Sequence, residues 1–399
     1  MIVEHVSLTD FRNYAGAEVE LGPGANLFVG SNGQGKTNLA EAIAFMATLG
    51  SHRVSSDQPL VRAGRDAAIV RIRVAHAGRR IRLEAQVNRQ GSNRARVNGA
   101  DVRPAELPRY AQVVVFAPED LGIVRGDPST RRRFADQLLI QRSPRMAGVI
   151  ADYERVIRQR GALLKSARAR GIKGDALSTL DVWNDKLVAL GSELIDARVA
   201  LAADLAEPLA DAYRAIAGAD HDPRAEWLLS IGGGDPEEGV DGTGDAVDGS
   251  TPDRFRHALA AARTAELDRG VNLVGPHRDD LMLRIRDLPV KGYASHGESW
   301  SVALSLRLAS AQLLRAESQA GDPVLILDDV FAELDVGRRR RLSAVTADYE
   351  QVIVTAAVLE DVPVDLRRRT VRIDAGSIVG PAEDGERSER TEGEDTGDR

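Results

Sequence analysis

Two stretches in the first quarter of the chain alternate apolar and polar residues and predict half-buried β-strands. In residues 70–74, Val, Ile and Val alternate with two arginines, and residues 81–87 continue the period-two pattern. This period puts the apolar side chains on one face of a sheet. Asn98-Gly99 follows a further short run, 94–97, and is typical of the two-residue turn of a β-hairpin. The region therefore predicts an antiparallel β subdomain.

Further strands and helices are predicted along the rest of the chain. Strands are expected at 2–29 around a loop at Asp10–Tyr14, and at 112–116, 281–285, 324–327, 351–355 and 370–373. Helical spacing of apolar residues occurs at 38–46, from about 129 to 217, and at 254–269 and 297–317. Strands on both sides of a long helical region predict an α/β fold that is split by an inserted α-helical lobe.

The net negative charge of the 399-residue chain comes from two segments. The net charge is −7, but residues 235–253 carry −7 and residues 381–399 carry −5, which leaves about +5 on the remainder. Both segments are poor in large apolar residues, so we expect a flexible acidic loop at 232–253 and a disordered acidic tail at 381–399. The mildly basic remainder is compatible with a polyanionic partner, although this charge alone does not demonstrate one.

Composition excludes several classes of protein. The chain contains no cysteine, which rules out disulfides, thiolate metal sites and cysteine nucleophiles. Residues 1–5 lack a basic segment followed by an apolar run, so no signal peptide is expected. No uncharged apolar run approaches the roughly 18 residues of a membrane span. These features favour a cytoplasmic protein without a membrane partner.

The most specific motif follows the predicted strand at 25–29 and precedes the predicted helix at 38–46. It matches G-x-x-x-x-G-K-[ST] at every fixed position, with the sequence Gly30-Ser31-Asn32-Gly33-Gln34-Gly35-Lys36-Thr37. A glycine loop between a strand and a helix surrounds phosphate oxygens with backbone N–H groups. We therefore predict that Gly30–Asn38 binds a nucleoside triphosphate. Lys36 would reach the outer phosphates and Thr37 would hold Mg²⁺.

A second candidate element is an apolar run that ends in two aspartates, Asp328 and Asp329. Asp328, at a strand end, would lie beside Thr37 and orient Mg²⁺ through water. Asp329 would point at the γ-phosphate as the general base for the attacking water. Lys36 and Asp329 are thus the predicted catalytic residues, and Thr37 and Asp328 the predicted metal site. An Asp pair in an ordinary turn is the alternative interpretation.

Two shorter motifs flank these aspartates. Ser295-His296-Gly297-Glu298 lies immediately before a predicted helix, and Glu333-Leu334-Asp335 follows the aspartates. A Ser, a Gly and a helix N-terminus together suit a phosphate. In isolation, however, the first motif predicts only a helix cap.

The complete series of motifs resembles the head of ATP-binding-cassette (ABC) ATPases, in the branch shared by chromosome-maintenance (SMC) and DNA-repair ATPases. Within that branch the chain is similar to the RecF family. The resemblance extends to about residue 357, and its blocks are Leu8–Tyr14, Gly30–Ile43, Pro118–Asp136, Gly275–Leu281 and Asp329–Asp335. It implies an ABC-type head with a mixed sheet, formed by residues 1–120 and 270–380, and a helical insertion at 121–269.

The resemblance also implies roles for individual residues. Gly30–Thr37 would bind ATP, and Arg12, in the first block, is a further candidate contact. Ser295, Gly297 and Glu298 would form the cassette signature, which in such heads touches the ATP of the other subunit. One phosphate loop and one signature per chain then imply an ATP-dependent homodimer with two-fold symmetry. The loop Pro118–Asp120 is a candidate for the nucleotide-sensing position of other heads.

The partners implied by the resemblance are duplex DNA near gaps or junctions and the mediator proteins RecR and RecO, which suggests association with the nucleoid. Arginines at 131–133, 338–341 and 367–369 are candidate phosphate contacts.

The sequence departs from ABC heads at Asp329, where those heads usually carry Glu, and at Thr355-Ala356-Ala357, where transporters carry His. A weak, DNA-dependent ATPase that acts as a conformational switch is therefore expected.

Three alternatives share the phosphate loop. A soluble ABC-type ATPase subunit that does not act on DNA is the first, and the missing His and the RecF-like blocks oppose it. A nuclease would need a further acidic cluster, and none with convincing spacing is present. A small-molecule kinase would leave the Ser295 motif and Glu333-Leu334-Asp335 without a role.

Overall fold

The computed structural model describes residues 1–54, 56–76, 78–171, 178–233, 249–318 and 321–379. The predicted acidic tail and residues 234–248 of the predicted acidic loop lie outside the described residues. Residues 251–253, at the end of that predicted loop, are helical, so the loop prediction is wrong there.

Six strands form an antiparallel sheet, as the alternating pattern predicts. The strands are β1 (Ile2–Phe11), β2 (Tyr14–Glu20), β4 (Ala67–His76), β5 (Arg79–Asn88), β6 (Arg94–Val97) and β7 (Ala100–Val102), in the order β2-β1-β4-β5-β6-β7. Asn98 and Gly99 join β6 to β7 with φ of 52° and 87°. A type I′ hairpin turn requires two positive φ angles, which explains this dipeptide.

A second six-stranded sheet is parallel except at one edge. Its order is β15 (Ser377–Val379), β14 (Arg369–Asp374), β3 (Gly24–Val29), β13 (Gln351–Ala356), β12 (Val324–Asp328) and β8 (Val113–Phe116). Only β14 and β15 pair antiparallel. The central strands are buried on both faces: Leu325 and Leu327 face one apolar core, and Val324 and Ile326 face the other. The carboxyl ends of β3, β12 and β13 therefore meet at one edge.

Nine helices are described. They are α1 (Lys36–Thr48), α2 (Leu121–Arg125), α3 (Pro128–Arg142), α4 (Met146–Ala169), α5 (Ser178–Ala217), α6 (Thr251–Arg269), α7 (Val290–Tyr293), α8 (His296–Glu317) and α9 (Val336–Thr346). Helix α1 contributes to the core shared by the two large sheets, and α8 packs with α5 in the other core. The α/β fold with inserted helices is confirmed. Among the described residues, no helix combines the length and the apolar character needed to cross a bilayer.

A small third sheet contains the strand predicted at 281–285 and two strands that the sequence did not indicate. It consists of β9 (Arg224–Leu228), β10 (Asp280–Ile285) and β11 (Leu288–Pro289), and β9 pairs antiparallel with β10. Strand β9 is five residues long and carries only a short alternation, so its pattern is too weak to identify alone. It becomes a strand because β10, which is distant in sequence, supplies its hydrogen-bonding partner.

A buried ion pair ties α4 to α6. The guanidinium of Arg160 lies 2.5 Å from a carboxylate oxygen of Glu266, and the side chains are 1% and 0% exposed. Arg160 also donates to Asn184 at 2.8 Å and to Asn272 at 2.6 Å, and Glu266 accepts from the Leu273 N–H at 2.9 Å. Such a pair tolerates burial because further hydrogen bonds satisfy both charges.

Glu266→Ala should lower the free energy of unfolding by about 3–5 kcal/mol, because it leaves the buried Arg160 without a counter-charge. Urea unfolding followed by circular dichroism measures this. Asp152→Ala, which removes the partner of Arg155 at an exposed site on α4, is the control and should change little. Equal effects of the two substitutions would contradict this account of the α4–α6 contact.

Candidate functional site

Two glycines of the phosphate loop occupy positions that exclude a side chain. A Cβ on Gly30 would lie 2.2 Å from the carbonyl oxygen of Ile373 in β14. Gly35 has φ of +117°, and a Cβ there would lie 2.7 Å from Asn13 Nδ2 and 2.8 Å from the Tyr14 hydroxyl. The loop is thus pressed between β14 and the β1–β2 turn, which fixes its path after β3.

The same neighbours orient the loop's backbone. Asn13 Nδ2 donates to the Gln34 carbonyl and the Tyr14 hydroxyl donates to the Gly35 carbonyl, both at 3.0 Å. Burial raises the pKa of Tyr14, so its hydroxyl remains a donor. The first N–H groups of α1 have no acceptor inside the helix, because the i→i−4 pattern cannot reach them. The carbonyls of Gln34 and Gly35 are thus already hydrogen-bonded, while N–H groups at the positive end of the α1 dipole have no partner in the helix. Such an arrangement can bind an anion.

Lys36 begins α1 and is only 3% exposed. Its Nζ donates to the Ser31 carbonyl at 3.2 Å, across the phosphate loop. An ammonium group in this position neutralises an anion that enters the loop. The arrangement therefore has both the backbone donors and the charge that a triphosphate requires.

The structure brings Thr37 and Asp328 together, although they are 291 residues apart in sequence. Thr37 Oγ1 donates to Asp328 Oδ1 at 2.9 Å, and Thr355 Oγ1 donates to the same oxygen at 2.6 Å. Asp328 ends β12 and is 2% exposed. A hydroxyl beside a buried carboxylate, next to a phosphate site, matches the oxygen ligands that Mg²⁺ prefers.

Asp329 adopts a left-handed conformation with φ of +50° directly after β12. Its backbone N–H donates to Thr355 Oγ1 at 2.9 Å, which holds the turn. Burial raises the pKa of Asp329, Lys36 lowers it, and the carboxylates of Asp328 and Glu119 raise it. Glu119 belongs to the loop Pro118–Asp120, for which the sequence left the role open. Its charge acts on the predicted general base.

Arg12 lies beside this site, but its guanidinium is committed to other groups. Its Nε and Nη2 donate to the two carboxylate oxygens of Glu41 at 2.8 Å and 2.6 Å, and its Nη1 donates to the Pro59 carbonyl at 3.2 Å. Glu41 is 0% exposed on α1, so this pair fastens the β1–β2 turn to the helix that carries Lys36. A direct contact of Arg12 with nucleotide stays a prediction.

The Ser295 motif caps α8. The Ser295 N–H donates to Glu298 Oε2 at 2.9 Å, and Ser295 Oγ accepts from the Glu298 N–H at 3.3 Å. The Ser295 N–H and the guanidinium of Arg286 lower the pKa of Glu298 to about 2. The guanidinium of Arg338 lies beside Gly297, 2.9 Å from where a Cβ would stand. The cap is therefore formed, and Ser295 itself is exposed.

The phosphate loop and the Ser295 motif have separate neighbours. The loop contacts the β1–β2 turn, β12 and the β14–β15 turn, whereas the motif contacts Arg125, Arg286 and α9. In the part of the chain that the structure describes, no hydrogen bond or ion pair joins the two motifs. The two motifs therefore lie at separate places on the chain.

Most arginines of the three predicted clusters bond within the chain, which sequence alone did not indicate. The bonded ones are Arg131 with Asp280, Arg132 with the Asp279 carbonyl, Arg338 with Asp335, Arg339 with Asp361, Arg341 with the Ile216 carbonyl and Arg367 with the Val362 carbonyl. Such side chains position helices rather than present charge to solvent.

An open cavity of about 730 Å³ lies between the start of the phosphate loop and β14. Four arginines line it: Arg367, Arg368, Arg369 and Arg372. Arg367 is bonded to the Val362 carbonyl, whereas the other three are exposed and their side chains have no hydrogen bond or ion pair within the described ranges. Asp374 is the acidic residue in the lining. We call this cavity the arginine groove.

Comparison with protein families gives a match to the model described as the RecF/RecN/SMC N terminal domain, over residues 2–368. The chain is 59% identical to the DNA replication and repair protein RecF of Leifsonia xyli subsp. xyli over 385 residues, which are 96% of this chain and 100% of that protein. It is also 59% identical to RecF of Clavibacter sepedonicus, over 95% of each chain.

Solved structures agree with this assignment. A structure of the recombination mediator protein RecF with ATP, in the RecFOR pathway, has a TM-score of 0.82 at 26% identity and covers 94% of this chain and 96% of its own. An SMC head bound to the C-terminal winged-helix domain of ScpA has a TM-score of 0.51 at 14% identity, over 95% and 96% of the two chains, and shows the shared fold alone. The chain therefore belongs to the RecF family, within the RecF/RecN/SMC group of ABC-type ATPases.

Proposed function

We propose that this protein is an ATP-dependent DNA-binding protein of recombinational repair and replication-fork maintenance. The observation that carries the proposal is the contact of Thr37 with Asp328 beside a formed phosphate loop, in a chain of the RecF family. Its 26% identical structural relative is a recombination mediator described with ATP in the RecFOR pathway. On this basis we propose RecR and RecO as partners at single-strand gaps.

The residues of the site have distinct proposed roles. The N–H groups of the loop Gly30–Thr37 and the Lys36 ammonium bind the phosphates, and Thr37 and Asp328 provide oxygens for Mg²⁺. Asp329 orients the attacking water and accepts its proton. Its raised pKa makes the carboxylate a better base than a solvated aspartate. It is one methylene shorter than the Glu of other heads, which supports slow, switch-like hydrolysis.

The two halves of the site support a dimer that ATP closes. Ser295 is exposed at the start of α8 and is not bonded to the chain's own phosphate loop in the described residues. In a two-fold dimer, Ser295, Gly297 and Glu298 of one subunit face the triphosphate of the other. Loss of the γ-phosphate removes these contacts and opens the dimer. We assign the ATP-binding head to residues 1–120 and 270–380 and the insertion to 121–269.

The arginine groove is the surface that we propose for duplex DNA. The side chains of its three exposed arginines, Arg368, Arg369 and Arg372, have no internal partner among the described residues, unlike most of the other clustered arginines, so their charges are available for phosphates. Contacts of this type follow the backbone and carry no base specificity. The groove begins at Gly30 and Ser31, which links DNA contact to the occupancy of the phosphate loop.

Saturating ATP with Mg²⁺ should stabilise the wild type against unfolding, by about 2.7 kcal/mol at 100 times Kd. Lys36→Ala should abolish this gain, because it removes the charge that neutralises the phosphates. Thermal unfolding with and without ATP measures the gain, and Lys165→Ala, at an exposed site on α4, is the control. A gain that persists in Lys36→Ala would contradict the proposed site.

ATP should convert wild-type monomers to dimers in sedimentation velocity, whereas Ser295→Arg should bind ATP and remain monomeric, because a long side chain blocks the shared interface. Ser250→Arg is the matched control, since Ser250 immediately precedes α6 in the same way. It should dimerise like the wild type. If Ser295→Arg also dimerises, the signature does not lie at the interface.

Replacing Arg368 and Arg372 together by Ala should weaken duplex binding, because fewer DNA phosphates are then neutralised by the protein. The logarithmic salt dependence should become shallower by roughly 0.9 for each phosphate that is no longer neutralised. Binding in a salt titration measures this, with Arg155→Ala/Arg158→Ala on α4 as the control for net charge. An unchanged salt dependence would mean that the arginine groove does not contact DNA. No duplex binding by the wild type would favour an ABC-type ATPase that does not act on DNA.

A further inference from the structure

The segment after α1 folds back along that helix towards the phosphate loop. Leu49 ends α1 in a left-handed conformation with φ of 52°. Ser51 Oγ then donates to the buried carboxylate of Glu41, and Arg53 Nη1 donates to Asn38 Oδ1 at 2.8 Å. Residues 51–53 therefore lie beside the first two turns of the helix that begins with Lys36.

Because of this path, His52 lies beside the predicted metal site. His52 Nε2 lies 3.6 Å from Asp328 Oδ2, and the His52 side chain is 14% exposed. Nε2 itself is buried and has no hydrogen-bond partner among the residues that the structure describes. The other carboxylate oxygen, Oδ1, accepts from Thr37 and Thr355. The imidazole thus faces the oxygen of Asp328 that these two hydroxyls leave open.

An unpartnered buried nitrogen beside a carboxylate is costly, because desolvation of an unsatisfied polar group costs about 1–3 kcal/mol. The contact is favourable only if Nε2 carries a hydrogen, since two acceptors would repel each other. The separation of 3.6 Å is slightly too long for a hydrogen bond. A small rotation of the carboxylate would complete the bond.

We infer that His52 is a positioning residue for Asp328 in the Mg·ATP-bound state. Its Nε2–H donates to Oδ2 and thereby directs Oδ1 towards the metal. Partners of this kind, which bond a ligand rather than the metal, commonly raise metal affinity by 10–100-fold. The inference rests on the proposed ATP site. His52 thus places an imidazole beside the aspartate pair, although the chain has Thr355-Ala356-Ala357 where transporters carry a His.

Hydrogen bonds to a buried residue fix the backbone segment that carries His52. Glu41, which holds Ser51, is fully buried and is also gripped at both oxygens by Arg12. One carboxylate therefore fastens the His52 segment and the β1–β2 turn to the same helix. Positioning residues act only when their own side chains are held in place.

The test compares ATP affinity with Mg²⁺ and in EDTA for the wild type, His52→Ala and His52→Gln. Isothermal titration calorimetry gives both affinities without turnover. His52→Ala should weaken binding roughly 10-fold with Mg²⁺ and leave the EDTA value within about twofold. His52→Gln keeps an N–H donor and should recover most of the loss. His257→Ala, at an exposed position on α6, controls for the loss of an imidazole.

Three results would overturn the inference: no change with Mg²⁺ in His52→Ala, an equal loss with Mg²⁺ and in EDTA, or no recovery in His52→Gln. The second result would mean that His52 only supports the loop. If His52→Ala fails to fold, His52→Leu takes its place, because it fills more of the volume without a donor. Absence of ATP binding by the wild type is a different result, and it would contradict the proposed function instead.

Discussion

The hydrogen bond between Thr37 and Asp328 is the contact on which the site depends. It exists because β3 and β12 both pair in parallel with β13, so that their carboxyl ends reach the same edge of the sheet. Two segments separated by 291 residues thereby meet at 2.9 Å. Everything inserted between them, including the long helix α5, must leave that register intact. The apolar side chains on both faces of β12 and β13 maintain it.

The same geometry separates the two motifs that the proposed dimer would bring together. The strand edge carries the loop, the proposed metal residues and the proposed general base, while Ser295 lies at the start of α8 among different neighbours. Helix α8 packs in the core on the other side of the sheet from α1, so the two helix N-termini serve different surfaces. The proposed switch rests on this separation, because in the proposed dimer a ligand bound at one surface gains its remaining contacts from a second copy.

Local motifs made much of the site predictable from sequence. The glycine loop and the Asp328-Asp329 pair carry their chemistry within a few consecutive residues, and the strong periodicity of β4, β5 and β12 marks their strands. What was missed depends on contacts between distant segments. His52 has no motif around it, and β9 needs β10 as its partner. The sequence also does not show that Arg131 and Arg339 form ion pairs within the chain whereas the side chain of Arg368 does not. Arg12, whose contact with nucleotide stays a prediction, donates to Glu41, and no local motif indicates that pair.

The most direct test of the central claim is a crystal structure with a non-hydrolysable ATP analogue and Mg²⁺. The account predicts that Mg²⁺ separates Thr37 from Asp328, that both residues surround it, and that Ser295 of the partner subunit contacts the γ-phosphate. A triphosphate bound elsewhere, or one that Ser295 of the same chain contacts, would contradict the account.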